Sequence, residues 1–151
     1  MSQSRTAAGI RVGTVAAAAT IGAMIGLGLR HGLALRPFVS TGRAALDAIG
    51  VTGGGGAVSV IVGLVLVAAA IIVLGVCFTI VAAPLRGARL LLAASVFGAI
   101  GWAVSTYVVP SILASSGGTQ LGTAQQIFLC ALLSLALVAG MRLARSSVRV
   151  E

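Results

Sequence analysis

The chain has no lysine, two acidic residues and one histidine. Charged residues make up 8% of it, against about 25% in a soluble domain. So few charges cannot clothe 151 residues in a water-facing surface, which excludes an ordinary soluble domain. The scarcity of reactive groups excludes more. The two cysteines, Cys77 and Cys130, each lie alone in an apolar run, and no CxxC pair exists. Neither a zinc site nor a thiol redox motif is supported, and the thiols read as buried and inert. A Ser/His/Asp set could draw only on His31 and Asp47, which lie on either side of Pro37. The chain therefore reads as no enzyme and as having no cofactor and no metal.

The absences also bear on transport. Proton relays and exporters place an ionisable group inside the membrane. No apolar run of this chain contains one. Membrane cytochromes need histidines within their spans, and His31 sits at the edge of one. Fluoride-channel-like pore motifs are not visible either. The ten arginines bring the net charge to +8. They are scattered between apolar runs with no interleaved aromatics, so nucleic acid is excluded as a partner.

What the chain has is apolar length. Hydrophobic residues make up 59%, and the mean hydropathy is +1.17. Four runs are long enough to cross a bilayer, which takes about 20 apolar residues. They are residues 12–29, 57–85, 90–113 and 124–141. Each is continuous rather than alternating, which predicts helices and not barrel strands. The fold class read from the sequence is all-α: one transmembrane domain over 1–151, a polytopic bundle of four helices. The first run resembles a signal peptide in having Arg5 and Arg11 before it. It is expected to be retained as an anchor.

Arginine placement gives an orientation. Arg5, Arg11, Arg86, Arg89, Arg142, Arg145 and Arg149 share one side of a four-span layout, and Arg30, Arg36 and Arg43 the other. The bias predicts both termini in the cytoplasm. The expected location is a bacterial inner membrane.

Small residues at helical spacing predict where helices meet, because close backbone approach replaces hydrophobic drive in lipid. The first run carries Gly9/Gly13, Gly22/Gly26 and Gly28/Gly32; the third carries Ala94/Gly98 and Gly101/Ser105; the fourth carries Ala136/Gly140. Gly22, Gly26, Gly98 and Gly101 are the candidate packing residues, within the chain or against another subunit.

Residues 30–56 join the first two runs. Pro37 disfavours a helical Arg36. Ser40 or Thr41 can cap a short helix over 42–49. Ala44, Ala45 and Ile49 would then face lipid, and Arg43 and Asp47 would pair across one turn. Gly50 would end this helix, leaving it interfacial, on the outer surface.

The stretch "GLGLRHGLALRPF", with the four-span layout and the "YVVPSIL" close of the third run, resembles a loose group of small four-helix bacterial integral membrane proteins. That resemblance implies layout; the group has no established activity to carry over. The function expected is that of a non-catalytic accessory subunit of a larger membrane complex, with a respiratory or photosynthetic host in view. Arg30, His31, Arg36, Arg43, Arg86, Arg89 and Arg142 are the candidate contacts to other membrane-protein subunits and to lipid headgroups. The alternative is a small oligomeric transporter or channel.

Overall fold

The computed structural model describes residues 2–30, 35–51, 55–104 and 123–147, with side chains described from residue 6 and, in the last segment, over 124–145. Five helices and no strand occur among the described residues: α1 (Ser2–Arg30), α2 (Arg36–Ala48), α3 (Gly56–Ala82), α4 (Ala88–Ala103) and α5 (Thr123–Ser147). Three of them contain stretches long and apolar enough to cross a membrane: Thr6–Arg30, Gly56–Ala82 and Ala124–Arg145. The chain is an all-helical membrane protein. The described part of α4 is a shorter apolar helix of 16 residues. The rest of the third apolar run, with Ser105, Tyr107 and Pro110, lies outside the described residues.

α1 packs against both α3 and α5, and α4 packs against α5 and more lightly against α3. Small residues set these contacts. A side chain added at Gly13 would meet the Ile72 backbone at 2.6 Å, and one at Gly9 would meet Val76 Cα at 2.9 Å. One at Gly140 would meet Val12 Cα at 3.0 Å. At each position the missing Cβ is what allows the backbones to approach. The start of α1 therefore lies beside the ends of α3 and α5. The same end holds the α3–α4 connection with Arg86 and Arg89, and is the arginine-rich end. The core between the helices is filled by Val12, Phe78 and Leu137, all at 0% exposure. Phe78 meets Phe97 of α4 edge-on, with centroids 5.4 Å apart, a favoured aromatic geometry.

The four packing candidates divide. Gly98 is buried against Ser134 and Cys130 of α5. Gly101 is half-buried, its nearest neighbour the Leu133 side chain at 3.3 Å. Gly22 and Gly26 are exposed, and a Cβ added at either would meet nothing within 4 Å among the described residues. The close approach within the chain falls at Gly9 and Gly13 instead. The core contact continues along α1 as far as Thr20 and Ile21, on the face away from Gly22 and Gly26.

The connection between the first two runs departs from its reading. α2 starts at Arg36, nearly two turns before the expected start at residue 42, with Pro37 in its first turn. Proline is tolerated there, because the first N–H groups of a helix have no partner to lose. Ser40 and Thr41 do not cap. Their hydroxyls donate back to the Pro37 carbonyl at 3.0 and 2.9 Å. Ala44 does not face lipid: Phe38, Gly42, Ala44 and Leu46 form the buried face of α2, which packs on α3. Gly42 and Gly63 make that packing possible. A Cβ on Gly42 would collide with the Ser59 carbonyl, and one on Gly63 with the Phe38 carbonyl. Arg43 and Asp47 are exposed and form no ion pair with each other. The end of α2 is where the sequence places it. Gly50 has φ +78°, Val51 N–H donates to Leu46 O at 2.9 Å and Gly50 N–H to Asp47 O at 3.0 Å. This is the paired closure that a left-handed glycine permits.

Candidate functional site

The chain's charge is distributed as two rims. At the α2 end, Arg30 closes α1, and Arg36 and Arg43 lie on α2; all three are exposed. His31 lies outside the described residues. At the arginine-rich end, Arg11, Arg86, Arg89 and Arg142 are exposed. The structure does not gather the candidate arginines into one cluster. It sets Arg30, Arg36 and Arg43 against Arg86, Arg89 and Arg142, at opposite ends of the helices. Among the described residues no three acidic, histidine or cysteine side chains come together as a metal site would need.

Arg145, which the sequence reading counted only as an inner charge, has a defined task. Its Nη2 donates to three backbone carbonyls at and just past the end of α3: Ala82 at 3.3 Å, Ala83 at 3.1 Å and Leu85 at 2.9 Å. The last carbonyls of a helix have no intrahelical partner. A cation placed there satisfies them and complements the negative end of the helix dipole. Arg145 therefore ties the end of α5 to the end of α3. The two are about 60 residues apart in sequence, so no local pattern could reveal the pair.

The hydroxyls within the helices are mostly satisfied internally. Thr14, Thr79 and Ser134 donate to the carbonyl one turn earlier at 2.8, 2.8 and 2.9 Å. This back-bonding is the ordinary fate of such residues in lipid. Thr20 is the exception: it is 7% exposed, and its Oγ1 is buried with no partner.

Two clefts open toward lipid. One, of about 520 Å³, runs between α4 and α5 along Ala94, Ala99, Cys130 and Ser134. At its far end the Trp102 indole N–H donates to Gln126 Oε1 at 3.0 Å. The other, of about 440 Å³, lies between α1 and α5 and is lined by Ile10, Arg11, Thr14, Val15, Gly140, Leu143 and Ala144.

The outer surface of the bundle is apolar. The best window of α3 has mean hydropathy 3.2 and is only 11% buried, whereas that of α5 is 39% buried. α3 therefore presents most of its circumference to lipid, and α5 is the more enclosed helix. A separate feature sits on α1. Ala18, Gly22 and Gly26 are all exposed and recur at every fourth residue, leading to exposed Arg30. They form an exposed ridge of small residues on the second half of α1, on a different face from buried Thr20 and core-packed Ile21.

Comparisons with protein-family models, with curated proteins and with solved structures return no match.

Proposed function

We propose that this chain is a non-catalytic accessory subunit of a larger bacterial inner-membrane complex. In this reading it has four spans, with the third completed beyond Val104, and both termini are cytoplasmic. The arginine-rich end is then the inner end. One observation carries the reading. On the open ridge of Ala18, Gly22 and Gly26, a Cβ added at either glycine would meet nothing within 4 Å among the described residues. Lipid tails gain little from a bare glycine, whereas another helix gains close backbone contact. Exposed valines and leucines do not bear on the question, because lipid covers them as well as a partner would. Arg30, at the end of the ridge, and Arg36 and Arg43 nearby would meet carboxylates of the neighbouring subunit or headgroups.

The test is purification in mild detergent followed by identification of co-migrating chains. We expect a stoichiometric membrane-protein partner, lost on Gly22→Leu/Gly26→Leu while the fold survives. A lone monomer with no partner would refute the proposal.

A second reading, a small oligomeric channel or transporter, rests on the same ridge. Phe78, Leu137 and Val12 fill the interior, so a pore would have to run between copies. Solute flux through liposomes containing the pure protein distinguishes the two.

A further inference from the structure

We infer that the cleft between α1 and α5 holds one anionic phospholipid, with Arg11 as the ligand of its phosphate. The inference deepens the expected contact with membrane lipids and names its site and headgroup class.

Depth is the first argument. Gly9 lies against Val76 and Gly13 against Ile72, so Arg11 is level with Leu74 and Gly75. From there to Ala82, the last residue of α3, is about 10 Å at 1.5 Å per residue. Arg11 thus stands inside the apolar length of its neighbour, about two turns from the helix end. An arginine at that depth turns its guanidinium toward the interface while its stem stays among apolar groups. A lipid phosphate reaches that level, and its acyl chain continues inward.

Shape and charge agree with this. The cleft of about 440 Å³ lies within the range of ligand-holding clefts, about 300–1,000 Å³. Ile10 and Val15 of α1 and Gly140 and Leu143 of α5 line it. These suit a chain of methylenes. The hydroxyl of Thr14 is already committed to Ile10 O at 2.8 Å, so the wall offers little competing polarity. The guanidinium of Arg11 makes no hydrogen bond or ion pair among the described residues, and the chain carries net charge +8. A cation at the mouth of an apolar cleft selects a lipid with net negative charge over a zwitterionic one.

The experiment uses the full chain, purified in a neutral detergent, with phosphatidylglycerol or phosphatidylcholine added at equal mole fraction. Binding is read from the shift in melting temperature across a lipid titration. Wild type is expected to bind phosphatidylglycerol more tightly than phosphatidylcholine. Arg11→Gln is expected to weaken phosphatidylglycerol about tenfold, the scale of one charge-assisted hydrogen bond. Asp47→Asn, which changes the charge by one at the other end, should stay within about twofold. Thr14→Phe fills the cleft and should weaken both lipids. The proposal is overturned if Arg11→Gln binds phosphatidylglycerol as wild type does, or if Thr14→Phe changes neither lipid. It is equally overturned if inorganic phosphate alone reproduces the shift, or if delipidation yields a dimer that Thr14→Phe abolishes. No partner subunit enters this assay. Its failure is therefore separate from a failure of co-purification, and the reverse holds too.

Discussion

Replacing Arg145 by alanine tests the link between α5 and α3. In the native chain one guanidinium nitrogen serves the carbonyls of Ala82, Ala83 and Leu85 at 2.9 to 3.3 Å. Arg145 is half-buried, so water competes for part of this interaction. A hydrogen bond to a charged group contributes about 1.5–3 kcal/mol when well shielded. The three bonds share one nitrogen and are not additive, so the expected loss is about 2 kcal/mol in all. Arg145→Lys should recover less than half of it, because an ammonium lacks the planar fork of a guanidinium. Arg142→Ala removes an exposed arginine three residues earlier and should cost no more than about 0.5 kcal/mol. The assay is reversible unfolding in mixed micelles, followed by the loss of helicity. If Arg145→Ala and Arg142→Ala destabilise equally, the carbonyl cap contributes nothing, and the argument from the helix terminus is wrong.

Three further substitutions probe the packing. Gly63→Ala places a methyl group on the Phe38 carbonyl and should cost about 1–3 kcal/mol as an overpacked contact; faster hydrogen exchange confined to α2 would show where the strain goes, and unchanged exchange counts against the crossing. Gly13→Ala should be destabilising by a similar amount, since its Cβ would lie 2.6 Å from Ile72 Cα, whereas Gly22→Ala meets nothing within 4 Å and should be neutral or better in the isolated chain; equal losses at the two positions would contradict the placement of the α1–α3 contact. Thr20→Val removes a buried hydroxyl without a partner and should stabilise by about 1 kcal/mol in the same unfolding assay; a loss of stability would mean that the hydroxyl is satisfied in the membrane.

The helices were legible in the sequence because lipid leaves so few options. A continuous apolar run must satisfy its backbone internally, and the runs at 57–85 and 124–141 appear as α3 and α5 with their ends shifted by a few residues. α2 was less legible, because two correct rules competed at Pro37. Proline disfavours a helical residue before it, yet it suits the first turn of a helix, and the second effect prevails. Its packing face was hidden for a different reason. Gly42 and Gly63 are isolated glycines on different helices, and no spacing within either helix pairs them. Arg145 was hidden in the same way, since its acceptors are backbone carbonyls that any sequence supplies. Among the glycine pairs, Gly9/Gly13 and Gly22/Gly26 carry the same pattern; only the face of α1 on which α3 and α5 pack separates them.

That separation connects the fold to the proposed function. α3 is contacted by α1 near its end, at Ile72, Gly75 and Val76, and by α2 near its start, at Ser59 and Gly63. At about 100° per residue, Ser59 and Gly63 lie on the opposite side of α3 from Ile72, Gly75 and Val76, so α1 and α2 hold different faces of it. Gly22 and Gly26 stand open among the described residues. In a soluble protein an open glycine pair carries little meaning. In lipid, where helices associate through such surfaces, it marks the place where the chain has room for one more helix. In the proposed reading that helix comes from a neighbouring subunit.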